Sequence, residues 1–182
     1  MTTTPAPPPP PASGLKGVAV SPRSFAGDDF ATFFDEAAKA GSLVLWGGPI
    51  EQLDDEGGAP TVIATLAHQK GMDVAIQASP FREIGGGPEM DANLTAAVAA
   101  FAAKARPEYL ALGVEVNRFA ESKPGRFEQF VAWYAATYDA VKQAAPGTSV
   151  FVTFQFEWME GHRGGLFGGS LDAAREAFEA LA

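Results

Sequence analysis

Two carboxylates and two amides fall late in the alternating stretches of this chain: Glu115 and Asn117 close Leu110–Asn117, and Gln155 and Glu157 come near the end of Thr148–Trp158. Side chains alternate sides along a strand, so Ala111, Gly113, Glu115 and Asn117 share one face while Leu110, Leu112, Val114 and Val116 share the other. The second stretch puts Phe151, Thr153, Gln155 and Glu157 opposite Val150, Val152, Phe154, Phe156 and Trp158. In both, one face is apolar throughout and the other turns polar late, after small residues in the first stretch. That is the pattern of strands that pack on helices outside and deliver a carboxylate and an amide to a common pocket. A carboxyl group so placed is a candidate general acid/base, Glu115 foremost.

The elements that must position these groups repeat. Met72–Ser79 sets Met72, Val74, Ile76 and Ala78 against Asp73, Ala75, Gln77 and Ser79, with Gln77 and Ser79 inward and late. Lys16–Ser21 sets Val18 and Val20 against Gly17, Ala19 and Ser21, and a further strand is expected over Ser42–Gly47. Helical spacing predicts a helix from Asp28 or Asp29 to Gly41, a second over Pro60–Lys70 and a third over Asn93–Ala105. A fourth over Phe127–Ala144 carries Phe127, Phe130, Val131, Tyr134, Tyr138 and Val141 on one face, and a fifth spans Leu171–Leu181. Strand and helix thus alternate five times, which implies an all-parallel α/β domain.

A sheet covered on both sides would be apolar on both faces. The small and polar second face fits the narrow inside of a barrel, where function gathers at the carboxyl ends of the strands. A doubly wound nucleotide-binding sheet would run its first strand into a glycine-rich loop, whereas this one runs into Ser21-Pro22-Arg23-Ser24-Phe25. The glycine clusters Gly85–Gly87 and Gly164–Gly169 lie after the third and fifth strands without that spacing. A TIM-type barrel needs eight units and about 250 residues. The expectation is therefore an incomplete barrel over residues 16–182, holding strands one to five, completed by a missing C-terminal segment or a second chain.

Residues 1–15 read as a separate Pro-rich tether, with Pro5 and Pro7–Pro11 favouring polyproline II. Tethers of this kind often follow an export signal or join domains, so an extracellular, cell-surface or periplasmic location is expected, with a cytoplasmic one as the alternative. The 182 residues are 47% hydrophobic and 19% charged, ordinary for a globular domain, and no stretch reaches the apolar length that spans a bilayer. Thirteen basic against 22 acidic residues give a formal charge of −9, which works against a nucleic-acid partner. The absence of cysteine excludes disulfides and thiol nucleophiles. His68 and His162 are isolated, so neither a metal site nor another cofactor is expected.

Gly113-Val114-Glu115, on the fourth strand of the count, resembles the Gly-Asn-Glu motif of the large glycoside hydrolase clan A built on eight-stranded barrels, including its endo-galactanase-like members. The resemblance covers roughly Lys16 to Gly161 as architecture. It implies a hydrolase of poly- or oligosaccharide with Glu115 as acid/base, and a nucleophile from a seventh strand that this chain lacks. Val114 stands where the family has asparagine, leaving Asn117 to meet a sugar hydroxyl. The acid must hold a proton at working pH, which burial among Ala111, Gly113 and neighbouring aromatics would favour. A retaining mechanism also needs a second carboxylate about 5–5.5 Å away. Glu157 is the local candidate, alternatively an ion-pair partner of Arg163 or Arg118. Trp46, Arg23, Gln77 and Gln155 complete the expected saccharide-binding set, Trp46 as a ring platform and Arg23, with Ser21, as a hydroxyl ligand. A barrel that binds saccharide without cleaving it is the alternative function.

Overall fold

A computed structural model describes residues 14–20, 28–81, 87–159 and 171–181. Most of the tether, Ser21, Arg23, His162, Arg163 and the glycine clusters apart from Gly87 lie outside these residues. The domain is α/β, with a five-stranded, all-parallel sheet in the order β1-β2-β3-β4-β5. Its strands are β1 (Gly17–Val20), β2 (Leu43–Pro49), β3 (Asp73–Ser79), β4 (Tyr109–Ala111) and β5 (Ser149–Phe151). The helices are α1 (Asp28–Ala40), α2 (Ala59–Gln69), α3 (Ala92–Ala105), α4 (Val116–Ser122), α5 (Pro124–Ala144), α6 (Phe156–Met159) and α7 (Leu171–Glu179).

The strand order never reverses, and right-handed crossovers that always step the same way put their helices on one side of the sheet. Burial follows that geometry. Val44, Trp46, Val74, Ile76, Ala78 and Leu110 are buried in one core with Phe34, Ile63, Val98, Phe101 and Phe130 from the helices. The opposite row carries Leu45, Gln77, Tyr109 and Phe151, all part-exposed, with only the small Ala75 and Ala111 fully covered. In register across this face, Gly47 lies beside Gln77, Gln77 beside Ala111 and Ala111 beside Phe151.

Local chemistry explains the helix bounds. Asp91 caps α3 by accepting the Leu94 N–H at 2.9 Å, and Arg106 closes it in the left-handed region (φ 48°) just before Pro107. After α1, Gly41 passes so close to the Lys16 carbonyl that any Cβ would collide with it. The periodicity of α5 places Phe127, Phe130 and Val141 correctly on the buried face, but that face extends toward Trp133 and Thr137 instead of Tyr134 and Tyr138. Phe127, Phe130, Trp133, Thr137 and Val141 are buried, whereas Tyr138 is exposed and Val131 and Tyr134 lie at the edge. The shift follows from α3, against which α5 packs with Thr137 bonded to the Thr95 hydroxyl at 2.9 Å.

A carboxylate also stitches the amino end of the sheet. Glu108 Oε2 accepts the Val74 N–H at 2.7 Å and lies 3.3 Å from His68 Nε2, so His68 has a partner where its helical position predicts only solvent. Replacing Glu108 by alanine leaves the part-buried Val74 N–H unpaired, a loss of roughly 1–2 kcal/mol. Chemical denaturation should show that loss, and Glu108→Gln, which keeps an acceptor, should recover most of it.

Candidate functional site

The carboxyl end of β4 departs from the strand predicted through Asn117. Regular pairing stops at Ala111, and Val116 already begins α4. Gly113 marks the turn: a Cβ there would lie 2.6 Å from Val116 Cγ1 and 2.7 Å from the ring of the fully buried Phe130. Only glycine lets the backbone pass this close to that ring. Hydrogen bonding to the segment after β5 nevertheless continues, with Leu112 N–H on Phe151 O (3.0 Å), Thr153 N–H on Gly113 O (2.9 Å) and Val116 N–H on Thr153 O (3.0 Å).

Glu115 sits at the N-terminal boundary of α4 in the left-handed region, φ 53° and ψ 45°. Among the described residues only Arg106 shares a positive φ without being glycine, and Arg106 ends a helix where such a conformation is common. Left-handed backbone is disfavoured for a side chain with a Cβ, and it persists only where the surroundings impose it. Here the Glu115 N–H donates to the Thr153 hydroxyl at 3.0 Å, and Arg118 Nη1 donates to Glu115 Oε2 at 2.9 Å. The Glu115 side chain is 37% exposed and that of Arg118 29%. The burial expected around this carboxylate is therefore replaced by an opening and an arginine, because the chain leaves the sheet before Glu115.

Asn117 likewise leaves the inward row. It is 1% exposed, and its amide bonds the backbone of Gln155 in both senses: Nδ2–H to Gln155 O at 3.0 Å, and Gln155 N–H to Oδ1 at 2.8 Å. A side chain thus stands in for a strand edge, tying the start of α4 to the segment after β5. The strand predicted over Thr148–Trp158 is likewise shorter. It ends at Phe151, and Glu157 is exposed on α6 instead of ending an inward row beside Glu115.

Trp158, assigned by alternation to the helix-facing side, lies beneath Arg118, with the guanidinium carbon 5.8 Å from the ring centroid. Arg118 thereby joins Glu115 to an aromatic ring that the alternation sends elsewhere. Gln77 and Ser79 do occupy the open face of β3, part-exposed, and the Ser79 hydroxyl accepts the Phe81 N–H at 3.2 Å. Trp46 does not form a platform: only 4% exposed, it packs in the core on the same face as Val44.

The structure therefore gathers Glu115, Arg118, Thr153, Gln155 and Trp158, with Asn117 as the clasp beneath. Arg118 and Thr153 could be recognised from sequence only through their neighbours, since their contacts depend on the turn at Gly113. Among the described residues no group of three His, Asp or Glu side chains could hold a metal ion, and no helix is long and apolar enough to cross a membrane. A groove of about 510 Å³ along α5, lined in part by Tyr134, Tyr138 and Leu181, includes none of the candidate residues in its lining. No family model matches the chain, and neither does any curated protein.

Proposed function

We propose that the sheet forms five βα units of a TIM-type barrel whose complete form hydrolyses an oligo- or polysaccharide, with Glu115 as general acid/base. The observation that carries this is a part-exposed carboxylate held in unfavourable backbone geometry at the carboxyl end of a parallel sheet, where such folds place their chemistry. A strand order without reversal supports the barrel, and among the described residues β1 and β5 each have one neighbour in the sheet, which would leave edges for further strands. In this scheme Glu115, in its protonated form, gives its proton to the glycosidic oxygen as the C–O bond breaks, while a second carboxylate, or water activated by it, takes the sugar carbon. The second carboxylate comes from a further segment or a second chain, since Glu157 lies on α6.

Saccharide binding without cleavage is the second reading. The Glu115–Arg118 ion pair favours it, because such a pair presents acceptors and donors to hydroxyl groups while occupying the carboxylate. Parallel assays on short neutral oligosaccharides separate the two, with calorimetry reading binding and reducing-end release reading cleavage. Binding with cleavage is the expected result. Binding alone selects the second reading, and neither signal removes both.

A further inference from the structure

Two polar atoms in the segment that runs from β5 into α6 are covered yet have no hydrogen-bond partner among the described residues: Gln155 Oε1, an acceptor, and Trp158 Nε1, a donor. A covered polar atom without a partner costs stability, and such atoms are few in folded proteins. These two come from residues three apart, where the chain enters α6. Gln155 is anchored through its backbone by Asn117, and Trp158 lies under Arg118. Both residues are themselves part-exposed, so each side chain reaches the surface.

We propose that Gln155 and Trp158 form a subsite for a neutral saccharide, recognised through two adjacent hydroxyl groups, one donating to Gln155 Oε1 and the other accepting from Trp158 Nε1–H. This deepens the saccharide reading and rests on it. A hydroxyl both donates and accepts, so a pair of them satisfies an orphan acceptor and an orphan donor together. The indole adds an apolar surface for the ring carbons. Neutrality follows from charge: Arg118 is already matched by Glu115, and the chain carries a formal charge of −9, which disfavours an anionic sugar.

The test is titration of the protein with short gluco-, galacto-, manno- and xylo-oligosaccharides, observed through the indole N–H signals of its three tryptophans. Trp158→Phe removes and so assigns one signal, and unchanged Trp46 and Trp133 signals report an intact fold. The expected result is saturable movement of the Trp158 signal by at least one of these sugars. Trp158→Phe and Gln155→Leu should each weaken binding, read by calorimetry, about five- to tenfold, the loss of one hydrogen bond. No movement with any of them, or binding indifferent to both substitutions, overturns the subsite. Cleavage lost in Glu115→Gln but insensitive to positions 155 and 158 overturns the subsite while leaving the acid/base reading intact. Binding that depends on both positions without cleavage establishes the subsite and removes the catalytic reading.

Discussion

On the proposed reading, Glu115→Gln should lower turnover of a saccharide substrate at least about a hundredfold, the usual contribution of a positioned proton donor. Glutamine keeps the shape of the side chain and an acceptor for Arg118, but it cannot give up a proton to a leaving oxygen. The fold should hardly notice, because an ion pair between side chains this exposed is worth under about 1 kcal/mol. A companion substitution sharpens the result. At φ 53° glycine is better suited than glutamate, so Glu115→Gly should leave thermal stability level or raise it while removing the carboxylate. A position where the sequence keeps a residue that the backbone disfavours is one where function is the natural explanation. Turnover that survives Glu115→Gln takes this residue out of the acid/base role.

Asn117→Leu destabilises the domain by about 3 kcal/mol, because it strands a backbone N–H and a backbone carbonyl of Gln155 at once. For a chain of this size that is a fall in melting temperature of roughly 6–12 °C. Leucine is similar in volume, so the loss reports the missing hydrogen bonds more than a cavity. Thermal and urea unfolding measure it directly. Were Asn117 instead a direct ligand for a sugar hydroxyl, the same substitution would weaken saccharide binding and leave the melting temperature in place. Asn117→Asp tests the geometry further. It keeps the acceptor for the Gln155 N–H, loses the donor and buries a charge, so it should be no more stable than the leucine variant.

Much of the scaffold is legible from local pattern. The helices over Asp28–Ala40, Ala59–Gln69 and Ala92–Ala105 start and stop within a residue or two of their caps and periodicity, because capping and turn chemistry act over a few neighbouring residues. Three strands read nearly as well, with Val74, Ile76 and Ala78 buried and Gln77 and Ser79 on the open face as alternation requires. The same rule fails at the ends of β4 and β5. Val114 and Val116 favour extended backbone locally, but the Phe130 ring from α5 presses against Gly113 and the chain turns there. Trp46 shows the complementary limit: a strand of mixed apolar and glycine residues does not reveal which face carries the ring.

The amino acids by themselves determined a parallel α/β architecture and which residues could carry chemistry, since periodicity and side-chain type are local properties of the chain. Only the tertiary structure decided that Glu115 stands in left-handed backbone against Arg118, that Asn117 clasps Gln155, and that Trp158 lies under the guanidinium. Those contacts join residues from 3 to about 40 positions apart across the turn at Gly113, and no short-range pattern encodes where such a turn falls.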